Sequence, residues 1–157
     1  MLKYLRLGLT GGYRILFSYF RFRKYSRNPS LFPIEERYSY THRFVRKMNR
    51  SFHYVPLIQG AENIPEGQCF FTPNHQSVMD PVVLMDVLER PISFIAKKEV
   101  STYPFVGNIL KSIDGKFIDR QDLRSELKVF KEVLLEMEEK KNLSYVIFPE
   151  GTRSKKE

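Results

Sequence analysis

Apolar residues recur along this chain with two different periods, and the switching between them predicts the order of elements. Short apolar runs at 68–72, 92–96, 116–119 and 143–148 read as strands, the first stopped by Pro73. Between them, 78–88, 104–110 and 122–141 read as helices. In the longest of these, Leu123, Leu127, Phe130, Leu134 and Met137 fall at i, i+4, i+7, i+11 and i+14, which predicts a stripe facing the core. The stretch 52–58 is expected to add a strand, placed at an edge because Pro56 has no N–H to give a ladder. Strands separated by helices imply an α/β fold with a mostly parallel sheet flanked by helices and joined by right-handed crossovers.

Residues 1–50 follow a different pattern and are expected to form a basic amphipathic two-helix arm ahead of an α/β domain at 51–157. At 100° per residue, Lys3, Arg6, Thr10, Arg14 and Arg21 share a wedge about 80° wide, while Leu2, Leu5, Leu9, Leu16 and Phe20 gather on another side. Gly8, Gly11 and Gly12 weaken this helix. The second, over 35–50, places Arg43, Arg46, Lys47 and Arg50 on one face and Tyr38, Thr41, Val45 and Met48 on another. Glu35 and Glu36 at its start suit the helix dipole.

Charge sharpens that division. The 157 residues carry a net +8, yet the first fifty hold twelve Lys and Arg against Glu35 and Glu36, and the rest hold fourteen basic against sixteen acidic side chains. The basic character therefore belongs to the arm. Lys3, Arg6 and Arg14 interrupt the first apolar run well short of the roughly 20 residues that span a bilayer, and no small-residue cleavage site follows it. A helix lying in an anionic membrane interface fits, with each basic side chain near the leaflet adding about 1 kcal/mol. Basic aromatic arms also bind nucleic acid. Long aliphatic residues on the apolar faces and the lack of any base-stacking module favour the membrane over RNA or DNA. Cys69 is the single cysteine and is expected to pack in its strand, and the scattered histidines form no metal-ligand cluster, so no metal is expected.

Two stretches carry candidate chemistry. In Asn74-His75-Gln76-Ser77-Val78-Met79-Asp80, the five-residue gap corresponds to 140° around a helix, so His75 and Asp80 cannot share the face of one helix. His75 is expected in the loop and Asp80 at the first turn, where the carboxylate holds one imidazole nitrogen and leaves the other to take a proton. Asp80 followed by Pro81 also has the form of an N-cap and first helical residue. Seventy residues on, Phe148-Pro149-Glu150-Gly151-Thr152-Arg153-Ser154 follows a strand with the Gly, Thr and Arg that suit a phosphate. His75, Arg120 and Glu150 each follow a strand, so all three are expected at the carboxyl edge of the sheet, where α/β folds gather ligands. Lys97 and Lys98 follow another strand end, where a cation suits an oxyanion or a phosphate as well as solvent. His42 and His53 have no partner at a useful spacing.

In these blocks the chain resembles the glycerolipid acyltransferases, in particular the bacterial 1-acylglycerol-3-phosphate acyltransferases. The likeness lies in Asn74-His75 through Asp80, in Gly115-Lys116-Phe117-Ile118-Asp119-Arg120 and in 148–154, with Glu62-Asn63-Ile64-Pro65, Lys98-Glu99, Pro104 and Gly107 agreeing between them. The resemblance implies transfer of a fatty acyl group from acyl-CoA or an acyl-carrier protein, as substrate and without a cofactor, to the free hydroxyl of lysophosphatidic acid. It assigns proton abstraction to His75 and its orientation to Asp80, and the glycerol phosphate to Arg120, Glu150, Gly151, Thr152 and Arg153. Glu150 repels phosphate and is expected to position an arginine or a glycerol hydroxyl. The same likeness implies a peripheral or monotopic place on the cytoplasmic face of the cell membrane. Members of the family continue beyond this third block, so a chain ending at Glu157 is expected to leave an open sheet edge and part of the acyl pocket uncovered. The alternative is a membrane-binding remnant without turnover.

Overall fold

The computed structural model describes residues 2–151, with the side chains of α1 described from Gly12 onward except that of Arg14. The chain runs α1 (Leu2–Arg27), α2 (Ile34–Ser51), β1 (Phe70–Phe71), α3 (Asp80–Val87), β2 (Ile92–Lys97), α4 (Val106–Ser112), β3 (Lys116–Ile118), α5 (Leu123–Glu139) and β4 (Ser144–Ile147). Pairing is parallel throughout, in the order β1-β4-β2-β3, with Phe70 opposite Tyr145, Ser93 opposite Tyr145 and Ile95 opposite Lys116. The α/β sheet expected from alternation is therefore present, four strands wide.

Right-handed crossovers fix where the helices go. The steps β1 to β2 and β2 to β3 run the same way across the sheet and place α3 and α4 on one face, whereas β3 to β4 steps back and places α5 on the other. Helix α2 packs on α3 and α4, and α1 packs on α4. Ile92, Phe94, Ile95, Val146, Tyr145, Met85, Leu110, Ile113, Ile118 and Val133 form the buried core, and Ile34, Tyr38 and Val45 of α2 belong to it. Tyr38, Thr41 and Val45 of the predicted apolar face are buried and Met48 is half-buried, Arg37 and Asn49 are buried beside them, and Arg43, Arg46, Lys47 and Arg50 are exposed.

Helix α1 continues through Gly11 and Gly12 to Arg27, longer than its apolar pattern alone suggests. Packing outweighs the propensity cost of the glycines, because Ser18, Phe22 and Tyr25 are buried against the neighbouring helices. Arg21 is exposed yet partnered. Its guanidinium donates to the Tyr25 hydroxyl at 2.9–3.0 Å and lies 3.6 Å from Glu36 of α2. Lys3, Arg6, Thr10, Arg14, Leu2, Leu5 and Leu9 lie outside the described side chains.

Two expectations are overturned. Residues 52–58 form no strand: Val55 and Leu57 are 84% and 88% exposed, and Pro56 leaves the segment without a full set of N–H donors. The stripe on α5 does not face the core as a whole. Leu123, Leu127 and Leu134 are 59–68% exposed, while Val133 is fully buried and Phe130 and Met137 pack against the core. The burial axis is rotated by about 90° from those leucines at 100° per residue. On the flank that meets β3, Glu136 binds Lys116 at 2.6 Å, so the leucines occupy the flank turned away from β3.

A charged network closes the amino edge of the sheet. Arg37 of α2 is buried and pairs with Asp114 through two bonds of 2.8 and 2.9 Å, and it also donates to the Phe32 and Ser112 carbonyls. Lys140 donates to Asp114 at 2.8 Å and to Glu136 at 2.5 Å, and the Tyr145 hydroxyl donates to Glu136 at 2.7 Å. Burial and the Glu136 carboxylate push the Tyr145 phenol well above its ordinary value.

Candidate active site

Because β1 and β4 are neighbours about 4.8 Å apart, the loops leaving their carboxyl ends are brought together. Pro73 ends β1 and Pro81 lies at the start of α3, which leaves His75 in the intervening loop, as its spacing requires. The His75 Nδ1 lies 2.9 Å from Asp80 Oδ2, with the two side chains 21% and 25% exposed. The same Oδ2 accepts from the backbone N–H groups of Gln76 at 2.8 Å and Ser77 at 2.9 Å.

These bonds decide between the two roles open to Asp80. An N-cap carboxylate accepts from donors further into its helix. Asp80 is instead the first helical residue, has Met79 before it as cap, and points back at the loop that carries His75. Partial burial works to raise the Asp80 carboxyl, but the Ser77 N–H, the His75 ring and the Gln76 N–H outweigh it and hold the group below the ordinary carboxylate range. Asp80 is thereby kept as an anion on Nδ1, and Nε2 is the nitrogen left to accept a proton.

The turn after β4 lies directly against this pair. Phe148 stacks on the imidazole with ring centroids 4.4 Å apart and an interplanar angle of 30°. The backbone N–H of His75 points at Glu150 Oε2 at 3.4 Å. Gly151 closes the turn with its N–H on the Phe148 carbonyl at 3.0 Å and has φ +69, a left-handed conformation that glycine adopts freely. Arg120, leaving β3, donates to the Gly151 carbonyl, and a Cβ at Gly151 would run into its guanidinium. His75, Asp80, Glu150, Gly151 and Arg120 are therefore brought to one rim, and Thr152 and Arg153 lie outside the described residues.

Lys97 and Lys98 sit further along the rim. They line a cavity of about 670 Å³ with Thr102, Tyr103, Asp119 and Arg120, and Lys98 Nζ is 3.4 Å from Asp119 Oδ2. His42 stacks on Tyr38 and contacts the Asp86 carbonyl on the far side of α3.

Residues 55–157 match the family model described as Acyltransferase. The chain belongs to the acyltransferase family. It is 33% identical over 120 residues to a chloroplastic 1-acyl-sn-glycerol-3-phosphate acyltransferase of Brassica napus, covering 73% of this chain and 34% of that one. Over 82 residues it is 38% identical to the 1-acyl-sn-glycerol-3-phosphate acyltransferase of Helicobacter pylori, covering 52% and 34%. The crystal structure of the 1-acyl-sn-glycerophosphate (LPA) acyltransferase PlsC from Thermotoga maritima superposes with a TM-score of 0.60 at 26% identity, covering 98% of this chain and 58% of that one. The chain spans between 31% and 50% of the length of the curated relatives it matches.

Two contributors to this candidate site are not in the sequence reading. The Gln76 and Ser77 N–H groups have no side-chain signature, and only the backbone trace reveals them. Phe148 does have one, since an aromatic residue at the carboxyl end of a central strand is placed to meet whatever the neighbouring loop presents.

Proposed function

We propose that this chain carries acyl transfer from a thioester to the free hydroxyl of 1-acylglycerol 3-phosphate, giving phosphatidic acid. The observation that supports it most directly is the His75–Asp80 pair at 2.9 Å seated beside the 148–151 turn. The acceptor hydroxyl gives its proton to His75 Nε2 while its oxygen bonds the thioester carbonyl carbon. As the tetrahedral carbon collapses, the C–S bond breaks and the departing thiolate takes the proton back from the imidazolium. Acyl-CoA or an acyl-carrier protein is the donor, and the exchange balances without a cofactor. Asp80 stabilises the transient imidazolium, and Arg120 with residues Glu150, Gly151, Thr152 and Arg153 receives the glycerol phosphate of the acceptor, for which a guanidinium supplies two parallel bonds.

Lysophosphatidic acid is expected to be acylated from acyl-CoA or acyl-carrier protein, while monoacylglycerol, which lacks the phosphate, is expected to react far more slowly. Equal rates for the two acceptors would remove the phosphate pocket, and no product from either would remove the reaction itself.

An anionic membrane surface is the proposed setting. Ser26 bonds Asn108 at 2.9 Å and Phe22 packs on Phe105 at the start of α4, so the earlier part of α1 runs past α4 at the carboxyl edge of the sheet. There Tyr13, Leu16, Phe17 and Phe20 form one exposed face, with Lys24 and Arg27 continuing it. No helix among the described residues is long and apolar enough to cross a membrane. The protein is expected to sediment with vesicles containing anionic lipid, and the double change Phe17→Glu with Phe20→Glu to weaken that binding at least about tenfold, given the transfer energy of two phenyl rings. Undiminished sedimentation of the double variant, or a preference for RNA over vesicles, would count against the membrane.

A further inference from the structure

The ring of Phe148 belongs to the third sequence block, yet neither proton transfer nor phosphate binding gives it a task. It is half-buried and lies face to face with the His75 imidazole, at 4.4 Å and 30°. We propose that Phe148 is a positioning residue for the base: its face braces the His75 ring and stabilises the imidazolium that forms when Nε2 takes the acceptor proton. The inference rests on the acyl-transfer reading for its kinetic consequence and on geometry alone for the contact itself.

An aromatic face carries the negative part of the ring quadrupole, so it attracts a cation laid over it more strongly than the neutral ring it replaces. In the proposed reaction the imidazole takes the acceptor proton and becomes a cation as the acceptor oxygen attacks. An interaction that strengthens between those two states lowers the barrier rather than merely tightening substrate binding. The contact has a second effect. With Nδ1 tied to Asp80 and the backbone N–H facing Glu150, the remaining freedom of the side chain is a tilt of the ring about its long axis. The Phe148 face blocks that tilt on one side.

Among the described residues, three charged groups face His75 or its surroundings. Asp80 lies on Nδ1 from the start of α3, Glu150 faces the backbone N–H from the turn after β4, and Arg120 reaches the same turn from β3 through the Gly151 carbonyl. A substitution of Phe148 alone leaves all three, so the loss of the π face is read without a change in local charge.

Phe148→Leu keeps apolar bulk and removes the face. It is expected to lower kcat by about three- to thirtyfold, the range of a partly desolvated cation–π contact. The KM for lysophosphatidic acid should stay within about twofold, because binding precedes the charge. The acid limb of the pH–kcat profile should move to lower pH, since a less stabilised imidazolium gives up its proton more readily. Phe148→Tyr restores the face and is expected to restore both rate and profile. A leucine variant with the native rate and profile, or one that loses rate with the acid limb unmoved, would overturn the proposal. Proton NMR of the histidine rings provides a readout that needs no turnover. In the native chain the His75 ring protons should lie upfield of those of His53, and that shift should vanish and the titration midpoint fall in Phe148→Leu. Failure of the acyl-transfer assay with the NMR result intact would remove the reaction and keep the contact, whereas an unshifted His75 resonance would remove the contact itself.

Discussion

Replacing His75 with alanine is expected to cut kcat for phosphatidic acid formation by roughly 10²–10⁴, the range that a positioned general base supplies. The KM for the acceptor should change little, because the groups proposed to receive the phosphate, Arg120 and the residues from Glu150 onward, follow other strands and remain in place. Asp80→Asn tests the same chemistry from the other side. The amide oxygen can still accept from the Gln76 and Ser77 N–H groups, so the loop keeps its shape, but the anion that stabilises the imidazolium is gone. A loss approaching that of His75→Ala is expected, and the double variant should be scarcely worse than either alone, since the two residues act as a unit. Steady-state rates for all three proteins decide it. Multiplying penalties in the double variant, or a native rate in His75→Ala, would show that the pair is structural.

The second large effect lies at the opposite edge of the sheet. Arg37→Ala is expected to cost about 3–5 kcal/mol of folding stability, read from the urea midpoint, because it leaves a buried carboxylate without its main partner. Arg37 is 3% and Asp114 8% exposed, so solvent cannot replace the missing guanidinium. The network also sets the pH range of stability. Burial alone would raise Asp114 and Glu136, but Arg37 and Lys140 around the first, and Lys116 and Lys140 around the second, hold both below the ordinary carboxylate range. Groups depressed in the folded state stabilise it fully above their unfolded values and lose that contribution as pH falls through the folded ones. For Lys140 the sign reverses: burial lowers it, Asp114 and Glu136 raise it further, and its contribution is present below the ordinary lysine range and lost as pH rises through the raised value. The native urea midpoint is expected to form a plateau between those limits. Arg37→Ala should lower the plateau and flatten its acid shoulder. An unchanged midpoint and shoulder would mean that Arg37 and Asp114 do not act together.

The succession of elements along the chain and their types were legible because each short apolar run is bounded by proline, glycine or a charged cluster, as at Pro73 and Gly115, whereas the order of the strands across the sheet was not. The convergence of His75 with Glu150 was legible for a related reason: parallel strands send every following loop to the same edge. Burial on α5 was not. Leu123, Leu127 and Leu134 satisfy a helical period, but a period identifies an apolar face without saying which flank of it meets the sheet, and the Glu136–Lys116 bond sets that rotation. The role of Asp80 was open in the sequence because a cap and a histidine partner require the same residue at the same place, and only the direction of its bonds separates them. Arg37 was missed although its position carried a signal. It lies beside Ile34, Tyr38 and Thr41 on the apolar side of α2, and an arginine there requires a carboxylate from elsewhere in the fold, which turns out to be Asp114.

Helix α2 inserts Ile34, Tyr38 and Val45 into the same core as Phe94 and Val146, and Arg37 locks it to the turn ahead of β3. The segment proposed to grip lipid, in α1, joins this body through the buried Ser18, Phe22 and Tyr25, so removing the two helices is expected to strip cover from the core rather than release a working soluble catalyst. Severing it would open a hydrophobic wound in the very body it was meant to moor.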